Sequence, residues 1–119
     1  VTFGDGVTAI GDRAFWGCSG LTEVVFPASL VSVGDNAFYN CSGLRELTIP
    51  STLSYIGSYA FSECTGLMSV TFEKPQGWVI RETSGRESSV SENLINTPQQ
   101  ARDCLVSRYA SYYWIRRDS

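Results

Sequence analysis

Four cysteines are the residues best suited to covalent or metal chemistry in this 119-residue chain: Cys18, Cys41 and Cys64, set 23 residues apart, and Cys104 beyond them. A thiol attacks only as thiolate, which needs a neighbouring base or cation. The chain contains no histidine, so Cys-His and Ser-His-Asp mechanisms and histidine-based metal sites are excluded. No CxxC pair occurs, and a 23-residue interval is not a zinc spacing. Stacked one strand apart, the first three thiols would lie within bridging distance, but in-register side chains point the same way and a disulfide would strain the ladder. All four are therefore expected as buried free thiols, Cys104 on a helix.

Carboxylates and aromatics are the remaining candidates. Glu23 and Glu46 also lie 23 residues apart, and two facing carboxylates can hydrolyse a glycosidic bond. Arg45 stands beside them, and the pattern reads better as solvated, paired charge, so no enzymatic activity is expected. Trp16 and Tyr39 share one column, with Tyr55 and Tyr59 nearby; exposed aromatics anchor proteins or stack on sugars. Asn40-Cys41-Ser42 fits a glycosylation sequon but places its cysteine in the core column. No phosphate-cradling glycine loop, EF-hand spacing or basic aromatic strip is present. A pI near 4.8 argues against a nucleic-acid partner, and no run of eighteen apolar residues marks a membrane span. No cofactor is implied.

These residues recur because the chain itself recurs. The 23-residue step links Phe15, Phe38 and Phe61; Leu21, Leu44 and Leu67; Ile10, Val33 and Ile56; Gly11, Gly34 and Gly57; Gly20, Gly43 and Gly66; and Val1, Val24, Leu47 and Val70. Each unit reads locally. Leu21-x-x-Val24-x-Phe26 ends in an in-out-in alternation, which suits a short strand. Pro27 and Pro50 stop that strand, since proline donates no ladder hydrogen bond. A second extended piece turns Leu30 and Val33 inward. Gly34-Asp35 bends the chain, with Asp12, Asp35 or Ser58 capping the turn that follows. Ala37, Phe38 and Cys41 fall on one face of a single helical turn, which Gly43 closes in a left-handed conformation. One such unit buries too little to offset the ordering of its backbone, so neighbours must stack. The expected architecture is an α/β solenoid, a right-handed coil with a parallel sheet on one face.

The segments "IGDRAFWGCSGLTEVVFP" and "VGDNAFYNCSGLRELTIP" resemble the BspA-like, or Treponema pallidum type, leucine-rich repeats. The IGxxAFxxCxxL core appears three times within residues 1–73, and "ARDCLVSRYASYYWIRR" is similar to the closing segment of many bacterial members. The resemblance implies a secreted or surface-displayed bacterial protein that binds host proteins, matrix or other cells.

The period fades after Phe72. Residues 1–73 read as the leucine-rich repeat solenoid, with two basic against seven acidic side chains, and residues 74–119 as a C-terminal cap, with seven against five. The cap is expected to hold a degenerate unit (Val79, Val90 and Ile95 in the Ile56, Leu67 and Phe72 columns). A flexible polar stretch over 82–93, a helix from Thr97-Pro98 to about Arg108 and an aromatic tail (Tyr109, Tyr112, Tyr113, Trp114, Ile115) follow. Trp78, Tyr112, Tyr113 and Trp114 are expected in its core. The opening residues read as the inside of a strand without a signal peptide, as in a fragment or mature form of a longer protein.

The functional expectation is a non-catalytic protein-binding or adhesion module. Its sheet face, Glu23, Val25, Arg45, Glu46, Thr48, Met68 and Thr71, would contact a host or cell-surface protein or a glycan. The convex aromatics Trp16, Tyr39 and Tyr59 are the other binding candidates. A spacer, capping or accessory domain without a ligand of its own is the alternative.

Overall fold

The computed structural model describes residues 2–117; Val1 and its expected place in the Val24 column lie outside them. Its strands are β1 (Ala9–Ile10), β2 (Ser32–Val33), β3 (Glu46–Ile49), β4 (Tyr55–Ile56), β5 (Ser69–Phe72), β6 (Trp78–Arg81), β7 (Glu87–Ser89) and β8 (Tyr113–Arg116). A short helix, α1 (Pro98–Asp103), runs directly into a π-turn over Cys104–Arg108.

The repeat builds two parallel ladders, where a sheet on one face was expected. On one side β1, β2 and β4 pair in parallel, Ile10 to Val33 and Val33 to Ile56. On the other, β3 and β5 pair Glu46 to Ser69 and Thr48 to Thr71, and an isolated parallel bridge joins Thr2 to Val25. Both faces need ladders because each unit has two extended pieces, and a stacked coil must pair the backbone of both.

Between these ladders the expected helical turn is absent. Asn36 and Asn40 stand at φ 56° and 62°, Tyr59 and Glu63 at 59° and 62°, and left-handed residues at that spacing break a right-handed helix. Alternate N–H groups then serve alternate partners. Ala37, Tyr39 and Cys41 donate within their own turn to Gly34, Asn36 and Phe38. Asn36, Phe38 and Asn40 donate to the carbonyls of Ser58, Ala60 and Ser62 in the next coil. The aspartates also act across coils instead of capping their own turn: Asp12 Oδ1 accepts from Asp35 N at 2.9 Å and Asp35 Oδ1 from Ser58 N at 3.0 Å. Gly43 is not left-handed; its hydrogen faces the Ser19 carbonyl oxygen, which a Cβ would strike. Its column demands glycine for closeness, not for dihedral freedom.

Inside, like residues stack on like. Phe15, Phe38 and Phe61 form a parallel ring ladder with centroids 5.1 and 5.3 Å apart. Leu30, Val33, Ala37, Phe38, Cys41 and Leu44 are fully buried. The first coil is the exception: Phe15 and Leu21 are half-buried, and Cys18 is exposed, against the expectation of four buried thiols. Among the described residues no complete coil lies over Phe15, Cys18 and Leu21, so the same residue types are less sheltered there.

Residues 74–117 differ most from expectation. The stretch 82–93 contributes β7 to a β6–β7 hairpin instead of a flexible loop. The hairpin is clamped by Glu87, which accepts from Arg81 at 2.6 Å and from Arg117 at 2.7 Å. Val90 and Ile95 are buried, but Val79 is half-buried and pairs with Ile115; it does not continue the Ile56 column, because β8 lies antiparallel between β4 and β6. The aromatic tail is thus a strand inside the sheet. Trp78 and Trp114 are buried against Phe72, while Tyr112 and Tyr113 are only half-buried. α1 begins at Pro98 and buries Ala101, followed by Cys104 and Leu105 in the π-turn. Thr97 bonds Gln100 through its hydroxyl instead of capping the backbone.

Candidate functional site

The outward positions of successive coils converge on one groove. Thr22 and Glu23 come from the segment before Val24, Arg45 and Glu46 from the start of β3, and Met68 and Ser69 from the start of β5. Glu46 and Ser69 point outward because strand side chains alternate with the inward Leu47 and Val70; Thr22, Glu23, Arg45 and Met68 are exposed in the segments ahead of Val24 and of the strands. α1 lies against β5 and contributes Gln99 as the far wall. It is fixed there by Arg102, whose Nε donates to the Leu67 carbonyl at 2.7 Å. The resulting groove encloses about 600 Å³. Glu23, Arg45 and Glu46 line it together, so the groove offers carboxylate acceptors, one guanidinium and a thioether, with Met68 65% exposed.

A second depression of about 340 Å³ continues the same face, with Val25, Thr48 and Glu73 in its lining. Glu23, Arg45, Glu46 and Met68 therefore share one concavity, and Val25 and Thr48 the next. Thr71 is exposed and paired with Thr48, outside both linings.

The convex aromatics do not form one patch. Trp16 and Tyr39 pack ring to ring at 5.1 Å, and the Arg13 guanidinium lies 5.6 Å over Trp16. Tyr59, 44% exposed, lines a separate depression with Ser58, Glu82 and Tyr112. Its neighbour in sequence reasoning, Tyr55, instead stacks on Tyr113 at 6.2 Å.

The buried thiols are chemically quiet. Cys41 and Cys64 donate to the carbonyls of Phe15 and Phe38, each at 3.1 Å. Burial pushes the Cys64 thiol up to about 12, and raises Cys41 and Cys104 for the same reason. None of the three is a thiolate at neutral pH. Among the described residues no group of three or more His, Cys, Asp or Glu is placed to hold a metal ion. No described helix is long and apolar enough to cross a membrane.

Sequence reasoning missed Gln99 and Glu73. Glu73 directly follows β5 and was readable as its outward neighbour. Gln99 had no local signal, because its position depends on where α1 docks. Ser69 was legible as outward-facing from its alternation with the inward Val70.

Six copies of the BspA type leucine-rich repeat region match residues 1–95. The chain belongs to this family. The match runs past Phe72 over residues that fold differently from the regular coils. Among solved structures, the chain is similar to a leucine-rich cell surface protein from Faecalibacterium prausnitzii (29% identity, TM-score 0.61, covering 72% of this chain and 24% of that one). It is similar also to the Treponema pallidum leucine-rich repeat protein (38% identity, TM-score 0.57, covering 58% and 32%). A leucine-rich repeat protein from Bacteroides capillosus aligns at 29% identity with TM-score 0.53, covering 62% of this chain and 53% of that one. The BspA-type chain thus spans a quarter to a third of the first two. No curated protein matches it.

Proposed function

We propose that this chain is a non-catalytic binding module of a secreted or cell-surface bacterial protein. Its right-handed coil of 23-residue units, residues 1–73, presents the sheet face, and residues 74–119 close the array as its cap. The observation that carries the reading is the groove: outward side chains of three successive coils and Gln99 of α1 line one continuous concavity. The description of a similar solved protein as a cell surface protein supports the location. Its walls are set by ladders and by Arg102, so contact orders few side chains and loses little conformational entropy. The partner is a protein surface of a host or neighbouring cell, met by Glu23, Arg45, Glu46 and Met68 in the groove and by Val25, Thr48 and Thr71 beside it. Trp16 with Tyr39, and Tyr59 in its separate depression, are the remaining aromatic sites, suited to a glycan.

The test is a combined alanine substitution at Arg45, Glu46 and Thr48. All three side chains are exposed, so thermal unfolding should barely move, while retention on host cells or matrix proteins should fall at least tenfold. Undiminished retention would rule out the sheet face. A chain that binds neither matrix proteins nor glycans would instead be the spacer.

A further inference from the structure

Where the last coil meets the cap, one end of the six-stranded sheet holds a cavity that shares no lining residue with the sheet-face groove. Three neighbouring strands have their turns there. β4 leads into Ser58 and Tyr59, Ser111 and Tyr112 lead into β8, and β6 leads into Glu82 and Thr83. These six residues line a depression of about 260 Å³. It exists because the antiparallel β8 sets the turn ahead of it beside the turns that follow β4 and β6. The two sides are tied together: Tyr59 N donates to the Ala110 carbonyl at 2.8 Å, and Ser58 Oγ to the Ser111 carbonyl at 2.7 Å. Ser58 stands where earlier coils carry Asp12 and Asp35, which accept from a main-chain N–H of the next coil. Here the neighbour presents a carbonyl, so a donor is needed. Ser58 is 7% exposed, and with its proton committed its oxygen has only lone pairs to offer.

Tyr59 is the lining residue that packing does not explain. It stands at φ 59°, as Arg13 and Asn36 of the same column stand at 58° and 56°. Left-handed backbone suits glycine and, next, asparagine; it disfavours a bulky side chain. The tyrosine gains little burial in return, since it remains 44% exposed and has no ring partner among the described residues. Conformations of this kind gather at binding sites, where the side chain is needed in place. Tyr112 adds a half-buried ring, its edge against Tyr109. Among the described residues the hydroxyls of Tyr59, Thr83, Ser111 and Tyr112 form no hydrogen bond. Glu82 alone of the lining residues is charged. Arg86 approaches it only to 4.0 Å, with its own side chain 80% exposed, so the carboxylate keeps room for another donor.

We propose that this cavity binds a single sugar residue carrying a free amino group, a hexosamine unit of a glycan. The inference rests on the glycan reading of the Tyr59 depression and narrows it. The volume lies below the roughly 300–1,000 Å³ of sites for drug-sized ligands, which limits the occupant to about one ring. Tyr59 offers an amphipathic ring, with an apolar body for the C–H side of a pyranose and a polar tip for its hydroxyls. The hydroxyls of Thr83, Ser111 and Tyr112 both donate and accept, and Ser58 Oγ accepts. Glu82 receives the ammonium group in a charge-assisted hydrogen bond. An acetylated nitrogen loses that bond, and an acidic sugar would meet Glu82 with like charge and find no lining cation to offset it.

The experiment titrates the isotopically labelled 119-residue chain with glucosamine, N-acetylglucosamine and glucose, following the amide signals of Tyr59, Thr83 and Ser111. Glucosamine should shift them saturably and bind at least fivefold tighter than either neutral sugar. Glu82→Gln should remove that margin, and Arg86→Ala, which takes away a competing guanidinium, should widen it. Tyr59→Asn keeps the main-chain bond to Ala110 and places there the residue that Asn36 supplies one coil earlier. It should raise the unfolding midpoint by about 2–4 °C while weakening glucosamine at least fivefold. A lowered midpoint would overturn the proposal, because the ring would then serve packing. Equal binding of all three sugars would overturn the amine requirement and leave the glycan reading standing; no shift with any of them would overturn both. Choline binding tighter than glucosamine would also overturn it, since the site would then select a bare ammonium group.

Discussion

Replacing rings along the phenylalanine ladder measures how far stability here depends on stacking between coils. Phe38 is fully buried, lies 5.1 Å from Phe15 and 5.3 Å from Phe61 in near-parallel pairs, and meets the edge of Phe26 at 5.8 Å. A core Phe→Ala change costs about 3–5 kcal/mol, and each aromatic pair adds roughly 0.5–1.5 kcal/mol to area burial. With neighbours on both sides, Phe38→Ala belongs at the top of that range, about 5 kcal/mol. Phe15 keeps one ladder neighbour and an edge contact with Phe3 at 5.7 Å, and is only half-buried. Half the transfer term leaves Phe15→Ala at about 2 kcal/mol. The difference, about 3 kcal/mol, exceeds the error of urea unfolding followed by far-ultraviolet circular dichroism. Because a domain of this size is stable by only about 5–15 kcal/mol, Phe38→Leu provides a milder companion, expected near 1–2 kcal/mol. Equal costs for Phe15→Ala and Phe38→Ala would refute the reasoning, since they would mean that the sheltering of one coil by the next contributes nothing measurable.

Two further outcomes follow from side-chain clamps. Glu87, hydrogen-bonded to Arg117 and Arg81, is held down to about 2 from an ordinary 4.5. Its folded-state value is the lower one, so its support for the β6–β7 hairpin is complete above pH 4.5 and is lost as the pH falls towards 2. Amide exchange in the hairpin should accelerate through that window in the parent chain and stay flat in Glu87→Gln. Arg102→Ala removes the bond to the Leu67 carbonyl, leaving a charge-assisted acceptor without its partner. It should cost about 1–2 kcal/mol and loosen α1 from β5, read as faster amide exchange over 98–103, while the β3–β5 ladder stays protected.

The regular part of the fold was legible because its signal is redundant. Nine or more columns at one period fix which side chains share a layer, and the ladder of Phe15, Phe38 and Phe61 follows without knowledge of any dihedral. The turn between the strands was not legible. Ala37, Phe38 and Cys41 satisfy a helical spacing, but left-handed Asn36 and Asn40 divert alternate N–H groups to the next coil, and that choice is made by the neighbour. The aspartates were recognised as caps yet assigned to their own turn, for the same reason. Beyond Phe72 the columns thin out, and the placement of β8 between β4 and β6 depends on long-range packing of Trp78 and Trp114 on Phe72. Of the site, the outward residues could be read from strand alternation; the wall that turns a flat face into a groove could not, because Gln99 lies 30 residues from Ser69 and reaches it only when α1 docks.

The antiparallel strand β8 has a consequence for growth of the sheet. Parallel coils would add indefinitely beside β4, since each new edge repeats the last. Tyr113–Arg116 instead occupies that edge in the opposite direction, and β6 and then β7 finish the sheet with Glu87, Ser88 and Ser89, all solvated. A short polar rim, its glutamate engaged by two arginines, is a poor seed for intermolecular fibrils. Loss of residues 109–117 would bare the Tyr55–Ile56 edge and leave it open to pairing with another chain.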